Sequence, residues 1–133
     1  MNGKEFQALL KQVLAMDPVE AVVMIETWRG HAIVRPGAAA WLRSDDWLRS
    51  TVCSVSKKEA RLVLLEARKP GSGALGRLLG AVESAGLSPV ILSPSARLEA
   101  HLRGRGWVHE PRGVGPMRDE VWRPRLNGEA VHA

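Results

Sequence analysis

Residues 62–76 read LVLLEARKPGSGALG and decide the fold of this chain. A short apolar run at 62–65 precedes a glycine-rich turn, and a helical pattern follows the turn as far as Ala85. A strand, a tight turn and a helix in this order direct several main-chain N–H groups, and the positive end of the helix, at one point. The sequence therefore predicts a binding site for a phosphate or a pyrophosphate at this turn.

Downstream of the turn, short apolar runs alternate with a helical pattern. A helix is predicted over Ala96–Arg103, with Ser93 or Ser95 as its N-cap. The remaining segments are predicted as strands at 89–93, 107–110 and 119–123, a turn at 112–116 and a tail that frays over 124–133.

Upstream of the turn, two segments rich in β-branched residues predict a hairpin. Thr51–Ser56 and Arg61–Ala67 would pair as antiparallel strands through a loop of four or five residues. The segments before this hairpin are predicted as a helix at 4–16, a short strand at 32–35 and one or two irregular helical turns at 38–49. The apolar run within 19–28 fits a strand or a buried helix, and the Asp17-Pro18 start favours a helix that Asp17 caps.

The length and composition indicate one globular domain. The chain has 133 residues, of which 45% are hydrophobic, and this is enough for a core of its own. We expect a single domain over 1–125 and a tail over 126–133. The order of elements predicts a mixed α/β protein with helices packed on a largely continuous sheet.

The net charge of +5 favours an anionic partner. A phosphorylated cofactor, an acidic substrate and a nucleic acid would all satisfy it. No apolar run approaches the length of a membrane-spanning helix, and the first residues lack the apolar stretch of a secretory signal. We therefore expect a cytoplasmic protein that does not enter a membrane.

Cysteine and histidine usage indicates neither a disulfide nor a metal site. Cys53 is the only cysteine, and its place in a predicted strand indicates a small buried side chain rather than a nucleophile. His31, His109 and His132 lack ligand spacing with each other or with acidic partners, so no metal is expected.

The motif Arg68-x-x-Gly71-x-Gly73 resembles the Arg/Gln-x-x-Gly-x-Gly/Ala signature of the GCN5-related N-acetyltransferases. In that family the signature lies between the fourth strand and the third helix and binds the pyrophosphate of acetyl coenzyme A. Farther on, Gly106-Trp107 is similar to the Gly-Phe pair that follows the next helix in many members. The resemblance covers residues 51–123, whereas the Walker and dinucleotide-binding signatures fit poorly.

This resemblance implies an acyl-CoA N-acyltransferase-like fold, in which helices lie on both faces of a central mixed sheet. The strand at 61–67 would run beside the pantetheine arm, and the strand at 90–93 would diverge from it and leave a slot for the thioester. The residues implied to bind acetyl-CoA are Leu65, Ala67, Arg68, Gly71, Ser72, Gly73, Ala74, Gly76 and Arg77.

The reaction that the resemblance implies is transfer of an acetyl group from acetyl-CoA to an amine, which attacks the thioester directly. The tyrosine that protonates the leaving thiolate in the family falls at Leu102, so the candidate acids are His101, Ser95 and a bound water. Glu66, near the end of the strand before the motif, is the candidate base, and it would have to be buried to act as one near neutral pH. The sequence does not specify the acceptor amine.

A second hypothesis keeps this fold without catalysis and assigns it to binding a nucleic acid or a protein partner. Arg112, Arg118, Arg123 and Arg125 support a nucleic acid, although no helix-turn-helix, zinc or RNA-recognition signature accompanies them. The family often pairs through its C-terminal strands, so the resemblance also implies a homodimer with Trp122 at the contact.

Overall fold

A six-stranded mixed sheet forms the centre of the computed structural model, which describes residues 2–113 and 118–126. The elements in chain order are α1 Gly3–Ala15, α2 Pro18–Trp28, β1 Ala32–Val34, β2 Val52–Ser56, β3 Glu59–Leu64, α3 Ala74–Ser84, β4 Ser88–Leu92, α4 Ala96–Gly104, β5 Val108–His109 and β6 Val121–Arg123. Most of the predicted tail lies outside the described residues, as does part of the predicted turn at 112–116. Within the described ranges, no helix has the combination of length and apolar character that crossing a bilayer requires.

The strand order of the sheet is β1-β2-β3-β4-β6-β5. Every neighbouring pair is antiparallel except β3 and β4, which are joined through α3 and run parallel. The pairing of β3 with β4 stops at Leu62↔Ile91, although β3 continues to Leu64. Beyond this level β4 pairs with β6 through Leu92↔Val121. Val63 and Leu64 of β3 therefore have no partner residue in β4.

The two faces of the sheet carry different helices. Leu62 of β3 and Ile91 of β4 point into the main core, where they pack with α3 and with Leu102 of α4. The next residue of each strand lies on the opposite face, where Val63 and Leu92 belong to a smaller apolar cluster. Helix α2 packs against β1 and β2 on this second face. The predicted mixed α/β class is thus confirmed.

Three of the four described helices begin at a residue whose side chain caps the first turn. The side-chain oxygens of Asn2, Asp17 and Ser95 accept main-chain hydrogen bonds at 2.8, 3.0 and 3.2 Å in α1, α2 and α4. Of the two N-caps predicted for α4, Ser93 and Ser95, Ser95 is therefore the residue that caps the helix. Helix α3 differs, because its N-cap is Gly73 and no side chain caps it.

The structure corrects two details of the predicted elements and bears out a third. The hairpin of β2 and β3 turns through two residues rather than four or five, because Lys57 adopts a φ of +56° that closes a tight turn. Strand β3 ends at Leu64 rather than Ala67, because its pairing with β2 ends there at Val52↔Leu64. Residues 38–49 contain no helix but do form one irregular helical turn, in which the N–H of Trp47 donates to the carbonyl of Arg43 at 3.2 Å, as predicted; isolated bridges such as Trp47↔Ala67 hold the rest of this segment.

The lone cysteine lies in the main core, as the sequence predicts. Cys53 of β2 is fully buried, with no exposed surface. Burial in apolar surroundings raises the pKa of its thiol to about 12. The thiol is therefore a packing group rather than a nucleophile in the folded chain.

Candidate functional site

The glycine-rich turn leaves a cluster of main-chain N–H groups without acceptors at the start of α3. Gly71 and Gly73 have φ angles of +80° and +84°, which residues with a side chain rarely adopt. The first helical hydrogen bond runs from the N–H of Arg77 to the carbonyl of Gly73, at 3.1 Å. The N–H groups of 74–76 make no hydrogen bond within the described residues. An anion placed here would meet these groups and the positive end of the helix dipole.

The two arginines predicted to face a phosphate are anchored within the protein. Arg77 donates to the carboxylate of Asp46 at 2.9 Å and to the main-chain oxygen of Ser72 at 2.8 Å. The hydrogen bond from Arg77 holds the pKa of Asp46 below its ordinary value. Arg68 donates through Nε to the carbonyl of Ser44 at 2.6 Å, and its terminal nitrogens make no hydrogen bond to the described residues. Arg68 is therefore free to contact an anion through those nitrogens, whereas Asp46 balances the charge of Arg77.

Residues 46–51, which precede β2, lie along one edge of the extended chain that leads from β3 into the glycine-rich turn. The N–H of Leu48 donates to the carbonyl of Glu66 at 2.8 Å, and the N–H of Arg68 donates to the carbonyl of Asp46 at 2.9 Å. The N–H of Glu66 donates to the hydroxyl of Thr51 at 3.0 Å. This edge is therefore satisfied by the protein itself.

Leu65 and Ala67 present their main-chain groups on the other edge. Adjacent residues of an extended chain point their N–H and C=O groups in opposite directions. Because the main-chain groups of Glu66 face 48–51, those of Leu65 and Ala67 face away from that segment. The described residues supply no hydrogen-bond partner for them. An unpaired strand edge of this kind suits an extended ligand that carries amide groups.

A cleft of about 440 Å³ lies along this unpaired edge and reaches the start of α4. Its walls are formed by Trp47, Leu48, Leu65, Glu66, Ala67, Pro70, Leu75, Ser95 and Leu98. The cleft thus brings together two of the predicted catalytic residues, Glu66 and Ser95, and two of the predicted cofactor-binding residues, Leu65 and Ala67.

The predicted catalytic residues differ in their surroundings. The hydroxyl oxygen of Ser95 accepts from the N–H of Leu98 at 3.2 Å, which leaves the hydroxyl proton available to donate. Glu66 is exposed, so the burial that its role as a base requires is absent. His101 is also exposed and does not line the cleft. Leu102, at the position of the family's tyrosine, is fully buried in the main core.

A buried carboxylate that the sequence analysis did not single out, Glu26 of α2, lies on the opposite face of the sheet. It is only 2% exposed. Its Oε2 accepts a hydrogen bond from the hydroxyl of Ser54 at 2.8 Å and lies 2.6 Å from Nδ1 of His31. Guanidinium nitrogens of Arg61 and Arg29 lie 3.5 and 3.6 Å from the carboxylate. These donors and cations offset the cost of burying its charge.

Asp119 connects this network to a second pocket. Its carboxylate pairs with Arg61 at 3.0 Å and with Arg29. The pocket has a volume of about 250 Å³ and is lined by Val22, Ile25, Glu26, Arg29, Val63, Leu92, Ser93 and Asp119. The one sequence signal for this site is a carboxylate directly after the apolar run AVVMI at 21–25. Its partners come from distant segments, so the sequence alone does not reveal the network.

The arginines near the C-terminus, which the sequence analysis linked to nucleic acid, are largely engaged within the protein. The ion pairs are Arg112–Glu59, Arg112–Glu110, Arg118–Glu120 and Arg123–Glu110, with N···O distances of 2.7, 3.1, 3.1 and 3.3 Å. The guanidinium of Arg125 lies close against Gly106. This surface is therefore a mixture of both charges rather than a basic patch.

Trp122, expected at a homodimer contact, is only 3% exposed. Its ring stacks on His109 with centroids 4.9 Å apart, and the guanidinium carbon of Arg103 lies 5.1 Å from the ring centroid. The side chain is thus part of the main core and is not presented to a partner.

Comparisons of the chain with protein-family models, with curated proteins and with solved structures gave no significant match. In the part of the chain that the structure describes, no three or more His, Cys, Asp or Glu side chains form a group that could hold a metal ion. Two candidate sites therefore stand out: the cleft with its glycine-rich turn, and the pocket beside Glu26 on the other face of the sheet.

Proposed function

We propose that this protein is an acyl-CoA-dependent N-acyltransferase that transfers an acetyl group from acetyl-CoA to an amine. The observation that carries the proposal is the succession of two unpaired sets of main-chain groups along one cleft. The N–H groups of 74–76 suit an anion, and the edge at Leu65 and Ala67 suits an extended chain of amides. Coenzyme A joins a pyrophosphate to a pantetheine arm with two amides, and so matches both sets in order.

The pyrophosphate would occupy the start of α3. Gly71 and Gly73 have no Cβ, so the phosphate oxygens can approach the main chain closely. The N–H groups of 74–76 would donate to those oxygens, and the terminal nitrogens of Arg68 would add a positive charge. Ser72 lies in the same turn. Arg77 would add a second charge only where its pair with Asp46 loosens.

The pantetheine arm would lie along the unpaired edge as an additional short strand. Its amides would exchange hydrogen bonds with the main chain of Leu65 and Ala67. The side chains of Trp47, Leu75 and Leu98 would flank its apolar atoms. The end of the β3–β4 pairing at Leu62↔Ile91 is compatible with the slot that the family resemblance implies for the thioester.

The chemistry needs a proton donor for the leaving sulfur. The amine nitrogen attacks the thioester carbon, the C–N bond forms, the C–S bond breaks, and the thiolate takes a proton while the nitrogen loses one. Ser95 is better placed than His101 to supply that proton, because Ser95 lines the cleft and His101 does not. The exposed Glu66 would contribute to the charge at the cleft rather than act as a buried base.

Binding of a nucleic acid has weaker support, since the C-terminal arginines are paired with carboxylates. A non-catalytic module with the same fold remains the competing interpretation. Measurement of turnover distinguishes it from an enzyme, because both would bind coenzyme A.

The test is calorimetric titration of the full chain with acetyl-CoA and with CoA, using two matched variants. Gly73→Glu places a carboxylate in the turn, whereas Gly86→Glu makes the same change at the other end of α3, where φ is also positive at +82°. Both carry the same backbone strain, so a difference between them reports on the phosphate site.

We expect micromolar binding by the wild type and by Gly86→Glu, and none by Gly73→Glu. Circular dichroism would establish that both variants fold. Absence of heat and of thermal stabilisation with the wild type would refute the proposal, as would equal binding by the two variants.

A further inference from the structure

Thr51, the residue directly before β2, forms hydrogen bonds with both main-chain groups of Glu66. Its Oγ1 accepts from the N–H of Glu66 at 3.0 Å, and the same hydroxyl donates to the carbonyl of Glu66 at 3.2 Å. Thr51 has no exposed surface. One buried side chain thus supplies Glu66 with the pair of hydrogen bonds that a residue of a neighbouring strand would otherwise provide.

These two hydrogen bonds orient two successive peptide units. The N–H of Glu66 shares a peptide unit with the carbonyl of Leu65, and the carbonyl of Glu66 shares one with the N–H of Ala67. In a planar trans peptide the N–H and the C=O point in opposite directions. Because Thr51 holds one end of each unit, the carbonyl of Leu65 and the N–H of Ala67 are directed to the opposite side, where both residues line the cleft.

The first of these units depends on Thr51 more than the second does. The N–H of Leu48 also donates to the carbonyl of Glu66, at 2.8 Å, and so helps to hold the unit that carries the N–H of Ala67. Within the described residues, the unit that carries the carbonyl of Leu65 is held through the hydrogen bond from the N–H of Glu66 to Thr51. Loss of the hydroxyl would therefore release the carbonyl of Leu65 first.

We propose that Thr51 is a positioning residue for the pantetheine arm of coenzyme A. Through Glu66 it presents the carbonyl of Leu65 as an acceptor for one amide N–H of the arm, and the N–H of Ala67 as a donor to an amide carbonyl. Thr51 does not line the cleft, so it acts only through the main chain. The inference rests on the proposed function, because it needs a ligand with amide groups along this edge.

Three variants isolate the hydroxyl from the packing of this segment. Thr51→Val removes the hydroxyl and keeps a β-branched side chain of similar size, whereas Thr51→Ser keeps the hydroxyl and removes a methyl group. Val52→Ala is the matched control at the next residue, which is also fully buried and pairs with Leu64 rather than with Glu66. It lowers stability through lost packing and leaves the contacts of Glu66 in place.

The experiment is a titration of the isotopically labelled full chain with coenzyme A, followed by NMR spectroscopy and by calorimetry. The carbonyl carbon of Leu65 and the amide of Ala67 report on the pantetheine arm. The amides of 74–76 report on the pyrophosphate. Thermal melting of each variant measures its stability separately.

We expect coenzyme A to shift both sets of resonances in the wild type. In Thr51→Val the amides of 74–76 should still shift, the response of the Leu65 carbonyl should be lost, and the Kd should rise about threefold to tenfold, as for the loss of one hydrogen bond. Thr51→Ser should restore both the response and the affinity. Val52→Ala should have a lower Tm and bind coenzyme A as the wild type does.

The outcomes separate this inference from the proposed function. If coenzyme A gives no heat and no shift at 74–76 in the wild type, both fail. If 74–76 respond but Leu65 and Ala67 do not, the phosphate site stands and this inference fails, a result that does not depend on whether Thr51→Val folds. An unchanged Leu65 response in Thr51→Val would exclude Thr51 as the positioning residue. An equal loss of affinity in Val52→Ala would also overturn the inference, because weaker binding would then follow from lower stability alone.

Discussion

The guanidinium of Arg77 donates to both carboxylate oxygens of Asp46, at 2.9 and 3.4 Å, and at the same time to the main-chain oxygen of Ser72 at 2.8 Å. One side chain of α3 thereby joins the glycine-rich turn to the irregular segment before β2. The pair also places a carboxylate beside the proposed phosphate site, where its negative charge opposes an anionic ligand.

Replacing Asp46 by Asn should tighten the binding of coenzyme A. The change removes a negative charge near the start of α3 and releases Arg77 to contact the phosphates. We expect the Kd to fall about two- to fivefold, a modest effect because the pair is partly exposed. Calorimetry at low and high salt measures it. Asp45→Asn is the control, since Asp45 is 80% exposed and pairs with Arg43, and an equal effect of the two changes would contradict the prediction.

The ion pair between Arg77 and Asp46 also makes the stability of the fold depend on pH in the acid range. The folded state lowers the pKa of Asp46 from its ordinary value of 3.8. The pair therefore stabilises the fold above that value, and its contribution disappears as the pH falls through the folded-state pKa. Thermal melting of the wild type and of Asp46→Asn should show a difference in Tm at about pH 5 that shrinks as the pH is lowered below 3.8. A constant difference over that range would exclude the pair as its cause.

Cys53 predicts the opposite dependence at alkaline pH. Burial raises the pKa of its thiol from 9.0 to about 12, so the unfolded chain loses this proton first. The contribution of this thiol to stability is thus fully present below pH 9.0. As the pH rises from there toward 12, the free energy of unfolding falls by about 1.4 kcal/mol per pH unit. Urea unfolding of Cys53→Ala should lack this part of the slope. The wild-type thiol should also react with disulfide reagents only after unfolding, and rapid labelling of the native protein would be inconsistent with its burial.

Trp47 anchors the segment before β2 and forms a wall of the cleft. It is 3% exposed, and Trp47→Ala should cost about 3–5 kcal/mol of unfolding free energy and weaken the binding of coenzyme A. Trp28 is 46% exposed, so Trp28→Ala should cost about 1 kcal/mol or less and leave binding unchanged. Urea titration followed by circular dichroism compares the two. Similar losses would mean that the segment is not packed as described.

Two changes at Ser95 separate its role as a cap from its proposed role as a proton donor. Ser95→Ala removes the acceptor for the N–H of Leu98 and should cost about 1 kcal/mol of stability. Ser95→Asp restores a cap but supplies no proton at neutral pH, so its stability should approach that of the wild type. Both should lose acetyl transfer to a similar degree. If Ser95→Asp keeps full turnover, another group protonates the sulfur.

The sequence predicted the features that are encoded locally. The glycine-rich turn, the helices on either side of β4 and the caps Asp17 and Ser95 depend on a few neighbouring residues, and all of them are found. The positive φ of Gly71 and Gly73 likewise follows from the residue type.

The features that the sequence did not predict depend on contacts between distant segments. The segment at 38–49 forms a short turn of its own at 43–47, but the N–H of Leu48 and the carbonyl of Asp46 form hydrogen bonds with Glu66 and Arg68, which are distant in sequence. Glu26 stands out as a candidate only because Ser54 and Arg61 lie beside its carboxylate. The pairing of β2 with β3 brings these two residues together. Tertiary contacts of this kind override local propensity and carry no periodic signal.

The main-chain hydrogen bonds between the segment before β2 and residues 66–68 also determine how the glycine-rich turn unfolds locally. Leu48 and Asp46 both bond to residues that lead directly into the glycine-rich turn, so neither side can detach without releasing the other. The turn and the segment therefore form one cooperative unit of local unfolding, whose amide protons exchange with solvent in a single event. Any ligand that stabilises the turn should slow exchange at Leu48, although Leu48 lies outside the phosphate site.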